Sequence, residues 1–229
     1  MTYSQGGANI ADKIVCNKVF ANDLNPAIIA LHKQAQIDFS LIPIEFNKEE
    51  YTKAYNNFKI LLNHIYENKP LEELQKLVDM PLYKIGAYEN YTTFSHKGFC
   101  GSYLKAIDPK SKRKPHLEAR ENHRKQSESY SYKSINFSYG DYKNLFIPSN
   151  ALIYCDPPYR STTQYDTKTF DHEKYYNWLR EKSKTNPIFV SEQWMPEDFT
   201  VIWEKKVKRE TALKEKKKAI EKLYFIDNR

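Results

Sequence analysis

The feature that most constrains this chain is a short apolar segment that ends on an acid and two prolines. Residues 151–155 form the apolar run, which is followed directly by Asp156, Pro157, Pro158 and Tyr159. Because Pro-Pro stops a strand and an acid before proline favours an extended turn, an ordinary turn is one interpretation. The other interpretation is a ligand site, since ligands bind at the carboxyl ends of strands in open α/β sheets.

Strand-like and helix-like segments alternate on either side of this motif. Residues 15–21 are an apolar run before a helical pattern, and residues 187–192 are a short buried strand after the helical pattern of 171–184. The segment 199–210 predicts an amphipathic strand, and 224–227 predicts the last strand of a terminal hairpin. This alternation predicts an α/β fold with a mostly parallel sheet.

The middle of the chain has a different character. Residues 49–78 look helical with a break at Pro70, and the periodic pattern is lost after Pro81. Basic residues then gather beside aromatic ones, and a surface that contacts phosphates and unstacked bases needs both. A solvated loop has the same composition, so both interpretations stay open. On the first interpretation, the predicted phosphate contacts are Lys112, Arg113, Lys114 and Arg124.

Composition narrows the class of protein. The chain has 229 residues and a formal net charge of +7, which favours an anionic partner such as nucleic acid or a membrane surface. Its cysteines, Cys16, Cys100 and Cys155, are widely spaced and lack the close pairs of a zinc site, so we expect a reducing, cytoplasmic compartment and no metal. Every apolar run is too short to cross a bilayer, so we expect a soluble protein without a membrane partner.

A second acid follows the first predicted strand. Asp23 or Asn25 lies where the N-cap of the next helix belongs, and Pro26 occupies the first helical position. Capping alone explains these residues as well as a ligand role does. Gly140 and Asp141 form another predicted turn, again after a strand pattern.

Two of these motifs together resemble those of amino-group DNA methyltransferases. The sequence YCDPPY at 154–159 resembles their catalytic motif, and ANDLNP at 21–26 resembles the acidic cofactor-binding turn of the Dam-type, phage-like, adenine-specific branch. The segment SQGGANIADKI at 4–14 resembles the end of that family's glycine-bearing loop. The tail from Ser191 onward is similar to the C-terminal half of phage-type members.

The resemblance implies a fold and a domain organisation. It implies a Rossmann-like methyltransferase fold that uses S-adenosyl-L-methionine and acts on double-stranded DNA. Residues 1–40 and 135–229 would form the catalytic core, and residues 41–134 would be a helical and basic insertion that recognises the target.

The resemblance also implies roles for individual residues. Adenine's exocyclic amine is a poor nucleophile because its lone pair is delocalised into the ring, so the enzyme must hold the nitrogen against the donor methyl. Asp156 and the carbonyl of Pro157 would accept the two amine hydrogens, and Pro158 supplies no competing N–H. Tyr159 would stack on the extruded base, and Asp23 would accept from the ribose hydroxyls. The implied cofactor contacts are Gly6, Gly7, Asp23, Asp141 and Asp156, although a plain turn also explains Asp141.

The chain departs from the family pattern at its start. It begins MTYSQGG, without the opening segment, the helix and most of the first strand of such enzymes, so we expect truncation. One hypothesis is an adenine-specific enzyme, monomeric or completed by a second polypeptide; the alternative is a non-catalytic relative that at most binds DNA. A third possibility is an enzyme that methylates another planar amine, either that of cytosine or that of a protein glutamine. The resemblance favours adenine because Asp156 stands where such relatives carry Ser or Asn.

Overall fold

The computed structural model describes residues 10–14, 16–93, 99, 114–159, 170–210 and 216–229. The chain divides into two compact units, one formed by Gln5–Leu145 and the other mainly by Phe146–Arg229. Both units combine strands with helices, so the predicted α/β class is confirmed.

A parallel pair of strands begins and ends the first unit. Strand β1 (Val19–Asp23) pairs with β2 (Ile135–Tyr139) in register from Val19↔Ile135 to Asp23↔Tyr139. The sequence predicted β1 to end at Ala21, but pairing continues because Gly140 N–H donates to the Asp23 carbonyl at 3.1 Å. The extension places Asp23 at the last position of the strand.

Six α-helices lie between these two strands in the described part of the unit. They are α1 (Pro26–Ile37), α2 (Lys48–Leu62), α3 (Leu71–Gln75), α4 (Leu82–Tyr91), α5 (Pro115–Ser127) and α6 (Tyr130–Lys133). The nearly continuous helix predicted over 49–78 is two helices, α2 and α3. Turns separate them, and Asn68 adopts a left-handed φ of 53°, which no α-helix accommodates.

Helix α4 contradicts the prediction that the pattern is lost after Pro81. The helix is buried without a break from Ile85 to Glu89, so it lacks the one-sided apolar spacing of a surface helix, and Gly86 weakens the helical signal further. A Cβ on Gly86 would stand 2.3 Å from the Ala27 carbonyl oxygen, so only glycine lets α4 approach α1 this closely. The residue that weakens the helical signal in the sequence is the one that the packing requires.

A buried polar network joins four helices of this unit. The Tyr132 hydroxyl lies 2.7 Å from Nδ1 of His32 and 2.8 Å from Nε2 of His123, whose Nδ1 is hydrogen-bonded to the Tyr91 hydroxyl. Burial lowers the pKa of His123 to about 4 and that of His32 well below its usual range. Both imidazoles are therefore neutral at neutral pH and belong to the core.

The second unit contains a four-stranded mixed sheet in the order β3-β4-β6-β5. Its strands are β3 (Ile153–Cys155), β4 (Ile188–Glu192), β5 (Thr200–Glu210) and β6 (Lys216–Ile226). Strands β3 and β4 are parallel, whereas β6 is antiparallel to both β4 and β5. The prediction of a mostly parallel sheet was therefore wrong for this unit, because strands joined by a short hairpin connection pair antiparallel. The last strand is also longer than predicted.

Helix α7 (His172–Ser183) confirms its predicted position. The Asp171 side chain caps it by accepting from the Lys174 N–H at 3.0 Å, and Tyr175 and Leu179 are buried. Trp178 is half-buried. Among the described helices, none is both long and apolar enough to cross a membrane.

Candidate active site

The first acidic turn follows β3 in the second unit. Asp156 is half-buried directly after the strand, Pro157 is buried, and Tyr159 is half-buried. Strand β3 runs parallel to β4 with Cys155 opposite Val190, so the next residues, Asp156 and those after Val190, lie at the same edge of the sheet. The predicted placement of an acid at the carboxyl end of a buried strand is confirmed.

A hydroxyl on the neighbouring strand holds the aromatic ring of this turn. The Tyr159 hydroxyl and the Ser191 hydroxyl share a hydrogen bond of 3.1 Å. Ser191 belongs to β4, so the bond ties the turn to a second strand and limits the positions of the ring. The sequence analysis did not assign Ser191 a role, although it follows the apolar positions of a predicted strand.

The surroundings of Asp156 bring its pKa close to neutral pH. Burial raises the pKa of Asp156 to about 7, and the carboxylates of Glu192 and Glu221 act in the same direction. Glu192 is itself buried, and its Oε1 accepts from the Gln193 N–H at 2.7 Å. The sequence analysis did not assign Glu192 a role, because its burial and its effect on Asp156 depend on the folded structure.

The second acidic turn follows β1 in the first unit. The half-buried Asp23 accepts from the Asn25 N–H through Oδ1 at 2.7 Å. Oδ1 of Asn25 in turn accepts from the N–H groups of Ala27 and Ile28, at 3.0 and 3.3 Å. Asn25 is therefore the N-cap of α1, with Pro26 at the first helical position as predicted. Asn25 is thus the cap, and Asp23 is a turn residue whose side chain accepts from the N–H two positions further on, as Asp141 does.

The turn after β2 lies beside the turn after β1. The buried Asn22 donates through Nδ2 to the Gly140 carbonyl at 2.7 Å and accepts from the Ser138 hydroxyl at 2.9 Å, which links the two strand ends. Asp141 accepts from the Lys143 N–H at 3.0 Å and pairs with its ammonium at 3.1 Å. These bonds account for Asp141 as a turn residue, and its contact with a cofactor stays a prediction.

Four of the predicted site residues cannot be placed. Gly6, Gly7, Lys112 and Arg113 lie outside the described residues.

Lys114 is exposed immediately before α5, whereas Arg124 is engaged on the helix surface. Its guanidinium donates to both oxygens of Glu121, at 2.7 and 2.8 Å, and to Glu128. A phosphate would have to compete with two carboxylates for Arg124, which makes it a weaker candidate for DNA contact than Lys114.

An acid ends β1, and another follows β3 directly; both positions agree with the comparison to known families. The model of the D12 class N6 adenine-specific DNA methyltransferase family matches residues 5–223, and the chain belongs to that family. Members use S-adenosylmethionine as the methyl donor. Among individual proteins, the chain is similar to the Type II methyltransferase M.FokI of Planomicrobium okeanokoites, with 26% identity over 166 residues. That alignment covers 69% of this chain and 24% of the relative, so the chain spans about a quarter of its length.

Proposed function

We propose that this chain transfers a methyl group from S-adenosylmethionine to the N6 amine of adenine in double-stranded DNA. The observation that carries the proposal is the turn Asp156–Tyr159, which presents a half-buried carboxylate and a tethered aromatic ring at the carboxyl end of β3. Family membership supports the choice of reaction, and the chemistry of the turn supports the choice of residues.

The residues of this turn suit an amine that must be made nucleophilic. The carboxylate of Asp156 accepts one amine hydrogen and the carbonyl of Pro157 accepts the other, which directs the nitrogen lone pair out of the ring system. When bound, S-adenosylmethionine would supply the methyl carbon, which would bond to N6 as its bond to sulfur broke. The methylated nitrogen would then give up one proton to the carboxylate of Asp156. Tyr159 offers a face on which the extruded base stacks.

The turn after β1 suits the ribose of the cofactor. Its two hydroxyls are donors, and the half-buried Asp23 offers an acceptor whose direction is fixed by the Asn25 N–H. We assign Asp23 to the ribose and Asp141 to the adenine ring of the cofactor. Gly6 and Gly7 would let the backbone approach the methionine part. These cofactor contacts are those expected of a Rossmann-like core of the Dam type, which is part of the proposal.

The DNA contacts are proposed for the segment 41–134. In this assignment the helical segment recognises the target, and its cations neutralise phosphates. Lys112, Arg113, Lys114 and Arg124 are the proposed contacts. Lys114 is exposed, which supports its assignment. Arg124 is a weaker candidate because it is paired with Glu121 and Glu128.

Product analysis tests the proposed reaction. Duplex DNA is incubated with the chain and methyl-labelled S-adenosylmethionine, then digested to nucleosides and separated. We expect the label in N6-methyl-2′-deoxyadenosine, because the family to which the chain belongs is adenine-specific. Label in cytosine would overturn the choice of base. DNA binding without label in any base would identify a non-catalytic relative.

A further inference from the structure

A buried carboxylate on α4 faces the start of α1. Glu89 is only 4% exposed, and it lies three residues after Gly86, on the same face of the helix. The close approach at Gly86 therefore also brings Glu89 to the turn that follows β1. Nothing in the reaction proposed above uses this residue.

Glu89 holds the side chain of Asn25. Both of its carboxylate oxygens accept from Nδ2 of Asn25, at 2.8 and 2.9 Å. Oδ1 of Asn25 caps α1, and its backbone N–H donates to Oδ1 of Asp23 at 2.7 Å. A continuous chain of hydrogen bonds thus runs from Glu89 through Asn25 to Asp23.

Both ends of the Asn25 amide are engaged by this arrangement. Its oxygen faces the first N–H groups of α1, and its nitrogen faces Glu89. The amide cannot turn over without losing contacts on both sides, so the backbone of the turn, including the N–H that orients Asp23, is held in one conformation.

We propose that Glu89 is a positioning residue of the cofactor site, acting through Asn25 to hold the Asp23 carboxylate in the direction that the ribose hydroxyls require. This inference rests on the proposed function of Asp23. Glu89 itself is not assigned a contact with the cofactor.

The charge of Glu89 gives this role a pH dependence. Burial raises its pKa to about 8; the hydrogen bond from Asn25 opposes that rise, and the charge of Asp23 adds to it. The other titratable residues of α4 are Tyr83, Lys84, Tyr88 and Tyr91. Lys84 pairs with Glu50 of α2 at 2.6 Å, and Tyr91 is hydrogen-bonded to His123 of α5.

Ionisation of Glu89 is expected to weaken cofactor binding. It places a second negative charge beside Asp23, and a bound cofactor removes water that would solvate both charges. Affinity is therefore highest while Glu89 is protonated and falls as the pH rises through about 8.

The main test measures S-adenosylmethionine affinity by calorimetry from pH 6.5 to 9.5 in the full chain. Glu89→Ala removes the hydrogen bonds between Glu89 and the Asn25 side chain, which we call the clamp. We expect about tenfold weaker binding at pH 7, the effect of one lost hydrogen bond. Glu89→Gln keeps an oxygen that accepts from Asn25, so we expect wild-type affinity at pH 6.5 and no decline through pH 8. Glu50→Gln, which changes a neighbouring carboxylate of the α2–α4 contact, is the matched control and should follow the wild type.

A double-mutant cycle separates positioning from general stability. If Glu89 acts through Asn25, the variant with both Asn25→Ala and Glu89→Ala binds no more weakly than Asn25→Ala alone. Additive losses, or a Glu89→Ala variant that binds like the wild type, would overturn the inference.

A measurement on the free protein distinguishes this inference from the proposed function. The side-chain amide signal of Asn25 in NMR spectra should titrate near pH 8 in the wild type and stay constant in Glu89→Gln. Failure of the wild type to bind S-adenosylmethionine would overturn the proposed function while leaving this titration as evidence for the clamp. An Asn25 signal that titrates at the ordinary pKa of a glutamate, or not at all, would contradict the clamp.

Discussion

The two acidic turns place similar carboxylates in different surroundings. Asp23 receives a backbone N–H from Asn25, which is fixed in turn by the cap of α1. Asp156 lies near two further carboxylates, and burial together with their charges raises its pKa to about 7. The first arrangement fixes direction, which suits binding. The second allows a carboxylate to change charge near neutral pH, which suits a group that takes part in a reaction.

Loss of Asp156 is expected to give the largest effect. The Asp156→Ala variant lacks the acceptor for the adenine amine, so the methyl-transfer rate at saturating cofactor should fall by about a hundredfold or more. Asp227→Ala, which removes a carboxylate paired with Arg229 at the end of the same unit, is the control for folding. A folded Asp156→Ala protein with the parental rate would show that the turn after β3 is not catalytic.

Loss of Asp23 should produce the opposite pattern. Because Asp23 is assigned to the ribose, Asp23→Ala should weaken S-adenosylmethionine affinity by roughly 10- to 100-fold, the effect of losing a charged hydrogen-bond acceptor. The transfer rate at saturating cofactor should change much less. Asp38→Ala serves as the control, since Asp38 is a carboxylate of the same unit that accepts from the Ser40 N–H. Unchanged affinity in Asp23→Ala would remove the difference between the two turns.

Glu192 should shift the pH dependence rather than abolish activity. Replacing it with Gln removes a negative charge that raises the pKa of Asp156, so the pKa should fall below about 7. Transfer at pH 6 should then be a few times faster than in the wild type. Glu204→Gln, on the exposed surface of β5, should leave the profile unchanged. An identical profile in Glu192→Gln would mean that burial and Glu221, without a contribution from Glu192, raise the pKa of Asp156.

The smallest expected effect is on the salt dependence of DNA binding, which should change with the proposed phosphate contacts and not with the two acidic turns. Lys114→Ala should reduce the slope of log affinity against log salt by about 0.9, the value for one phosphate contact. Arg124→Ala should reduce it less, because Arg124 is paired with Glu121 and Glu128. Asp23→Ala should leave the slope unchanged. Equal slopes for Lys114→Ala and the wild type would favour the solvated-loop interpretation.

The sequence predicted those parts of the molecule whose signals are local. The strand before Asp156 and the cap at Asn25 follow from the types of a few adjacent residues. The cap is confirmed, whereas the predicted buried run of 151–155 is shorter in the structure, since β3 covers Ile153–Cys155 and Leu152 is exposed. Helix α4 was missed because its glycine is explained only by the carbonyl of Ala27, about sixty residues away. The order of strands in the second unit was missed for a similar reason, since the position of β6 between β4 and β5 depends on pairing between distant segments.

The residues of the candidate site also differ in whether a local signal in the sequence reveals them. Asp156 and Asp23 could be selected because each follows a strand pattern directly. Glu192 and Glu89 could not, because burial and neighbouring charges give these residues their importance, and neither property is visible in a single sequence.

The most direct test of the central claim, that the ionised carboxylate of Asp156 activates the amine, is the single-turnover rate of methyl transfer as a function of pH, at saturating cofactor and DNA. The folded-state pKa of Asp156 lies near 7, and the ionised form is the acceptor. The account therefore predicts a rate that rises about tenfold for each pH unit below 7 and becomes constant above it. A rate that is flat from pH 5.5 to 8.5, or that falls as the pH rises, would contradict the claim.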